Sequence, residues 1–279
     1  MAKVRKQKPK GPLAQPLAPI VNLAERRSVR QALQPGRKQG VFIAVPTVDG
    51  NVHFSISMNF GRAMGSNALA ECPYQFSIHV EPGKRGIEYA RNDIVKTFLN
   101  ETDCDWLLMV DQDQVMPDDF WKLCQVTDAD IVSALVPVWV ANMDPETMLR
   151  VNNYGLDAQG RCYNIPIPDD SVTSPYRVPI VGTGAVAIRR RVFAPAPNGV
   201  GPTPFHFTRD DNGKVRCGED INFSVAAQRC GFTLAVHPQV RFDHVKALPI
   251  WQVEAYYRAR RAAEIAGKQI TDEQRLSLG

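Results

Sequence analysis

Five apolar residues, Trp106 to Val110, run without a polar break into Asp111-Gln112-Asp113. An apolar run this short, set between Asp105 and Asp111, suits a strand buried on both faces; a helix of comparable burial needs ten or more residues. Strands buried on both faces belong to α/β sheets sandwiched between helices. The two carboxylates then fall at the carboxyl end of the strand, where open α/β sheets bind their ligands.

The surrounding sequence repeats the theme. Val41–Val45 is a second apolar run and ends at Pro46-Thr47, and Tyr74–Val80 is a third, closed by Glu81-Pro82-Gly83. Residues 53–70 read as a helix. Ile87 to Leu99 carries apolar residues at helical spacing (Ile87, Ala90, Ile94, Val95, Phe98), and Pro117–Val126 fits a helix with proline in its first turn. Ile131–Val136 is a further strand. This alternation predicts a Rossmann-like, mostly parallel central sheet flanked by helices on both faces.

The chain divides by texture into a leader, residues 1–38, a main domain, 39–250, and a C-terminal helix and tail, 251–279. Within the main domain, 39–136 is the regular half and 137–250 the irregular one. Pro166, Pro168, Pro175 and Pro179 break 138–180 into short pieces, and 195–217 reads as a mobile Pro- and Gly-rich loop. Gly182-Thr183-Gly184 precedes an apolar strand at Ala185–Ile188. Glu219–Arg229 reads as a helix stopped by Gly231, followed by a strand over 233–237 and by Phe242-Asp-His-Val-Lys246.

Charge is uneven. Residues 1–38 hold ten Lys/Arg against the single acid Glu25, while the remainder is mildly acidic. The leader's first 20 residues are Lys-, Pro- and Gln-rich and read as disordered. Six cysteines, Cys72, Cys104, Cys124, Cys162, Cys217 and Cys230, form no Cys-x-x-Cys pair, which points to reduced packing thiols. No apolar run approaches the roughly 20 residues of a membrane helix. The expectation is a cytoplasmic protein without a transmembrane segment, in the host cytoplasm if viral.

Two carboxylates at i and i+2, if extended, face the same way and concentrate negative charge that a hard divalent cation relieves. A polar loop carrying two acids is the plainer alternative. Glu219 and Asp220 are placed for general-base chemistry or for the helix dipole, which favours acids in a first turn. Pro46, Thr47, Glu81 and Arg91 stand at strand ends or on the following helix, as nucleotide-gripping groups do; Arg91 equally suits an ion pair. Trp139, Phe205, His206 and Trp251 are aromatic candidates for an acceptor surface, against a core role.

In order and spacing these features resemble the GT-A fold glycosyltransferases of the family 2-like group, over roughly residues 41–250. The resemblance rests on Pro46-Thr47, Ala90-Arg91-Asn92, Asp111-Gln112-Asp113, Gly182-Thr183-Gly184, Arg189-Arg190-Arg191, Gly218-Glu219-Asp220 and His244. It implies a GT-A fold with an irregular acceptor-side half. It also implies a nucleotide-sugar donor, by default a UDP-sugar, and a divalent metal, Mn2+ or Mg2+. Asp111 is implied in ribose contact or in metal binding through water, and Asp113 and His244 in direct metal ligation. Asp220 is implied as the base of an inverting transfer, with Glu219 beside it, and Lys246 is a candidate counter-charge to the diphosphate or a surface lysine.

Three other readings compete. The string Leu107–Val115 also resembles the first motif of haloacid dehalogenase-like phosphatases, but at least two strand–helix units precede it here. A nucleotidyltransferase shares the sheet but calls for a Gly-rich basic loop, of which Pro46-Thr47-Val48-Asp49-Gly50 is a poor version. A non-enzymatic nucleic-acid-binding protein could use the basic leader. The leader also suggests a polyanionic acceptor, with DNA carrying a hydroxymethylated base, as in phage genome modification, the one considered.

Overall fold

Strand β1, Gln39–Thr47, is buried along almost its whole length and pairs in parallel with two neighbours. These are β2, Tyr74–Pro82, and β3, Trp106–Val110. In this computed structural model the described residues are 39–47, 57, 58, 61, 65, 72–83, 86–139, 149–159, 161–245, 253–255, 257, 258, 260–262 and 264–266. The chain divides into Met1–Pro35 and Gly36–Gly279, and all described residues belong to the second unit. The leader and Lys246 lie outside the described residues, as do Trp251 and most of 53–70.

The remaining strands of the main sheet are β4 (Ile131–Leu135), β5 (Tyr176–Arg177), β6 (Ala185–Arg189) and β7 (Leu234–Arg241). Their order is β5-β7-β4-β6-β3-β1-β2. Five strands run one way; β6 is antiparallel to both β3 and β4, and β5 is antiparallel to β7. The mostly parallel α/β sheet expected from the sequence is thus the fold observed, with β6 reversed. That reversal has a consequence for the site: β6 starts where β3 ends, with Ala185 opposite Val110.

Alternate residues of each strand feed two apolar layers. Val41, Ile43, Trp106, Leu108, Val110, Val132 and Ala134 pack on one face, and Phe42, Ala44, Leu107, Met109, Val186 and Ile188 on the other. Such double-sided burial explains the unbroken apolar runs. Both described long helices, α1 (Ile87–Glu101) and α2 (Glu219–Arg229), cover the second face, through Ile94, Val95, Phe98, Phe223 and Ala227. The helix expected over Pro117–Val126 is instead a 3-10 helix, Phe120–Gln125, on the first face. Its buried Phe120 and Leu123 are three apart, the repeat at which 3-10 side chains eclipse.

α2 ends as its sequence implies. Gly231 has φ 79°, and the N–H groups of Gly231 and Phe232 donate to the carbonyls of Gln228 and Ala227, a Schellman closure. The segment expected to be a mobile loop, 195–217, contains a short hairpin of Thr208–Arg209 with Val215–Cys217 and buries Phe205. Among the described residues, no helix is long and apolar enough to cross a membrane.

Candidate active site

Beyond β3 the backbone does not stay extended. The N–H of Gln114 donates to the carbonyl of Asp111 at 3.0 Å, closing a turn over Gln112 and Asp113. This corrects the expectation that both carboxylates face one way: the turn sends them to different partners. Asp111 Oδ1 accepts a hydrogen bond from Arg91 Nη2 at 2.7 Å. Asp113 Oδ2 lies 3.0 Å from His244 Nε2.

His244 arrives by a separate route. β7 runs beside β4 until Phe242, 1% exposed, donates its N–H to the carbonyl of Leu135. Asp243–His244 then forms a two-residue antiparallel ribbon with Gln114–Val115, and the N–H of Val245 donates to the carbonyl of Asp113 at 2.8 Å. The imidazole is held from behind, with Nδ1 2.8 Å from the carbonyl oxygen of Pro137. A carbonyl only accepts, so Nδ1 carries the proton of that bond. In a neutral ring Nε2 then presents a lone pair to a carboxylate oxygen, and a cation between them, a proton or a metal ion, satisfies both. A backbone carbonyl fixing the tautomer is the usual support behind a metal-binding histidine.

Asp113 and His244 therefore fit a divalent cation as a two-ligand set. Asp111 does not join them, because its carboxylate is turned to Arg91; among the described residues no three His, Cys, Asp or Glu side chains are grouped to hold a metal. A cation here would take its other ligands from a bound phosphate and water, which suits Mn2+ or Mg2+.

Arg91 shares the buried face of α1 with Ala90, Ile94, Val95 and Phe98. A guanidinium on an apolar face requires anions, and it finds two: Nη2 meets Asp111 and Nη1 meets Glu219. Burial works to lower the Arg91 pKa, yet the attraction of Asp111 and Glu219 holds it above its ordinary value. Of the two roles open from sequence, the ion pair is the one observed; at 3% exposure Arg91 is not presented to a nucleotide.

Glu219 and Asp220 open α2 at the same end of the sheet. Burial pushes both carboxyls up, with Arg91 pulling against it. Asp220 Oδ1 accepts the N–H of Ile221 at 2.8 Å. Tyr154 stands in the same electrostatic field: burial, then the charge of Asp220, raises its pKa, and its hydroxyl lies 2.8 Å from Asn152 Oδ1.

Pro46, Thr47 and Glu81 occupy the ends of β1 and β2, with Pro46 in register with Glu81 and Thr47 with Pro82. Thr47 is 3% exposed and Glu81 Oε2 is 2.8 Å from His79 Nε2. Phe205 is a core residue rather than an acceptor aromatic. It is 1% exposed and stacks on Phe223 at 4.7 Å, because the chain there is clamped: Asn92 bonds both the N–H and the carbonyl of Phe205. His206 is exposed, and Trp139 is half-buried.

The three arginines 189–191 lie at the opposite end of the sheet, where Arg189 registers with Trp106. Arg189 covers the Trp106 ring at 4.2 Å, Arg191 pairs with Asp130, and Arg190 donates to the carbonyls of Phe98, Leu99, Thr102 and Cys104 at the end of α1. Their work is structural. The sequence does not show that Asn92 clamps Phe205, that Asn222 Nδ2 donates to the carbonyl of His206, or that the Gly184 carbonyl accepts the Asp111 N–H at 2.8 Å. The adjacency of Asn92 to Arg91 and of Asn222 to Asp220 was the available signal.

No protein-family model and no curated protein matches the sequence. Solved structures that match the fold include A197 from STIV, at 16% identity and TM-score 0.42, covering 76% of this chain and 98% of that one. They also include GT-A glycosyltransferases. One is GalNAc-T7 with UDP, GalNAc and Mn2+, at 13% identity and TM-score 0.43, over 75% of this chain and 43% of that one. Another is the catalytic domain of Drosophila beta1,4galactosyltransferase 7 in complex with xylobiose, at 14% and 0.42, over 75% and 71%. Likenesses of this size bear on neither the substrate nor the working residues of this chain.

Proposed function

We propose that this chain is a metal-dependent glycosyltransferase, moving a sugar from a nucleotide diphosphate, UDP by default, to an acceptor hydroxyl with inversion. The observation that carries this reading is the Asp113–His244 pair just beyond the carboxyl end of β3, with Asp220 on a helix whose first residue, Glu219, is bridged through Arg91 to Asp111 at that same end. Asp113 and His244 would hold Mn2+ or Mg2+; bound there, the ion would neutralise charge developing on the departing diphosphate. Asp220, whose carboxylate burial makes more basic, accepts the proton of the acceptor hydroxyl in its ionised form. The pairing of Asp111 with Arg91 takes support from the phosphatase reading, in which Asp111 must be a free nucleophile.

The test is nucleotide release from a panel of nucleotide sugars with Mn2+, Mg2+ or chelator. Metal-dependent hydrolysis of at least one donor is expected, and absent or metal-independent turnover across the panel refutes the assignment. For the acceptor, the charge asymmetry of residues 1–38 supports a polyanion, and DNA carrying a hydroxymethylated base is the one we put forward. Deleting residues 1–38 should raise KM for DNA and leave KM for donor alone; an unchanged KM for DNA removes the leader's role, and no transfer to DNA by the full chain removes this acceptor.

A further inference from the structure

Glu219 and Asp220 are neighbours in the first turn of α2 but meet different surroundings. The Glu219 side chain is 12% exposed and its Oε1 is bonded to Arg91 Nη1. Asp220 carries no salt bridge among the described residues, and the Ile221 N–H on its Oδ1 orients the carboxyl without neutralising it. The Arg91 side chain, 4% exposed, reaches Asp111 with its other arm, and its Nε is buried without a partner. The guanidinium thus bridges the residue that follows β3 and the residue that opens α2.

We infer that Arg91 and Glu219 form a positioning strut that fixes α2 against the end of β3, and that Asp220 alone serves as base. The inference rests on the transferase reading for the role of Asp220; the strut itself does not. The N-cap of α2, Gly218, offers no side-chain cap, and the Glu219–Arg91 bond ties the helix's first residue to the sheet motif. The planar fork of arginine can hold two carboxylates at a set separation, and the single ammonium of lysine cannot do so with the same geometry. Through Asp111 the strut ends two residues from Asp113. It thereby sets the distance between the Asp113–His244 pair and Asp220, the two places at which donor and acceptor must be held for in-line transfer.

A glutamine at position 219 separates strut from base, since its carbonyl still accepts the Arg91 N–H but takes up no proton. On the strut assignment Glu219→Gln lowers kcat by no more than about ten-fold, while Asp220→Asn lowers it by about 10² to 10⁴-fold, the usual range for a lost general base. Glu219→Ala lowers kcat further than Glu219→Gln while donor KM stays within about two-fold, and Arg91→Lys recovers part of what Arg91→Met loses. Glu219→Gln as inactive as Asp220→Asn would overturn the division of roles. A double-mutant cycle of unfolding free energies over Arg91→Met and Glu219→Ala, repeated with Arg91→Lys, needs no activity and should give a coupling larger than the same cycle with Asp220→Asn. Zero coupling ends the strut. A wild-type protein that turns over no donor refutes the transferase reading and the base assignment, and leaves the strut to be judged by this cycle.

Discussion

His244 Nε2 and Asp113 Oδ2 stand 3.0 Å apart although 131 residues separate them in the chain. The two-residue ribbon of Gln114–Val115 with Asp243–His244 makes the meeting, and the Pro137 carbonyl on Nδ1 sets the ring's orientation. Replacing either member should therefore remove a shared ligand set. Asp113→Ala and His244→Ala are each expected to weaken Mn2+ binding by at least about ten-fold, with the double variant little worse than the singles. Mn2+ titration followed by electron paramagnetic resonance checks this; wild-type Mn2+ affinity in either single variant refutes the pair.

The glycines before β6 make contrasting predictions. A Cβ at Gly182 would overlap both the side-chain amide and the backbone oxygen of Asn152, so Gly182→Ala forces the backbone apart. It should cost about 1–3 kcal/mol of stability by overpacking. At Gly184 the nearest atom is Asp111 Oδ2 at 3.2 Å, a milder contact and with a side chain rather than with backbone. Gly184→Ala should thus leave the denaturation midpoint closer to wild type and act on turnover by shifting Asp111. Equal destabilisation by the two substitutions contradicts the account.

Phe205→Ala is a stability variant. Its ring is 1% exposed and packed on Phe223, so truncation should cost about 3–5 kcal/mol. Urea denaturation measures the loss, and a drop below about 1 kcal/mol would return Phe205 to the surface.

Arg190 is expected to behave likewise at the far end of the sheet. It holds four carbonyls around the end of α1, and hydrogen bonds from a charged donor contribute about 1.5–3 kcal/mol. Arg190→Ala should lower stability by about that amount while kcat at saturating donor stays near wild type. A selective loss of kcat with normal stability is the outcome that sinks it.

pH supplies a further check. Burial, with the Asp111 charge behind it, raises the Asp220 pKa over the opposing pull of the Ile221 N–H and Arg91. The folded state then holds this proton more tightly than the unfolded chain. The contribution is fully present below the ordinary carboxylate pKa and is lost as pH rises through the raised value. Relative to Asp220→Asn, the wild type should lose stability across that window, in denaturant midpoints taken from about pH 4 to about pH 8. Coincident slopes would show that Asp220 ionises as an exposed acid does. If Asp220 is the base, the acid limb of kcat/KM lies above the ordinary carboxylate range as well.

The strands β1 to β4 and both long helices are legible in the amino-acid order, because local burial patterns dictate them: unbroken apolar runs for strands covered on two faces, and a three-to-four spacing for α1. Gly231 marks the end of α2 for an equally local reason, its left-handed φ. The candidate residues Asp111, Asp113, Glu219, Asp220 and His244 are likewise visible as acids and a histidine at element ends. Their partnerships are not. The Asp111–Gln114 turn, the reversal of β6 and the delivery of His244 depend on which strands lie side by side. Arg91 joins residues 20 and 128 positions away, so no local pattern could tell a nucleotide-gripping arginine from a buried strut. Sequence alone determined the α/β layering and the end of the sheet at which acids gather. Tertiary structure decided how those acids divide, because an ion pair or a ligand pair is set by distance in space, and the chain brings these residues together only once the sheet has formed.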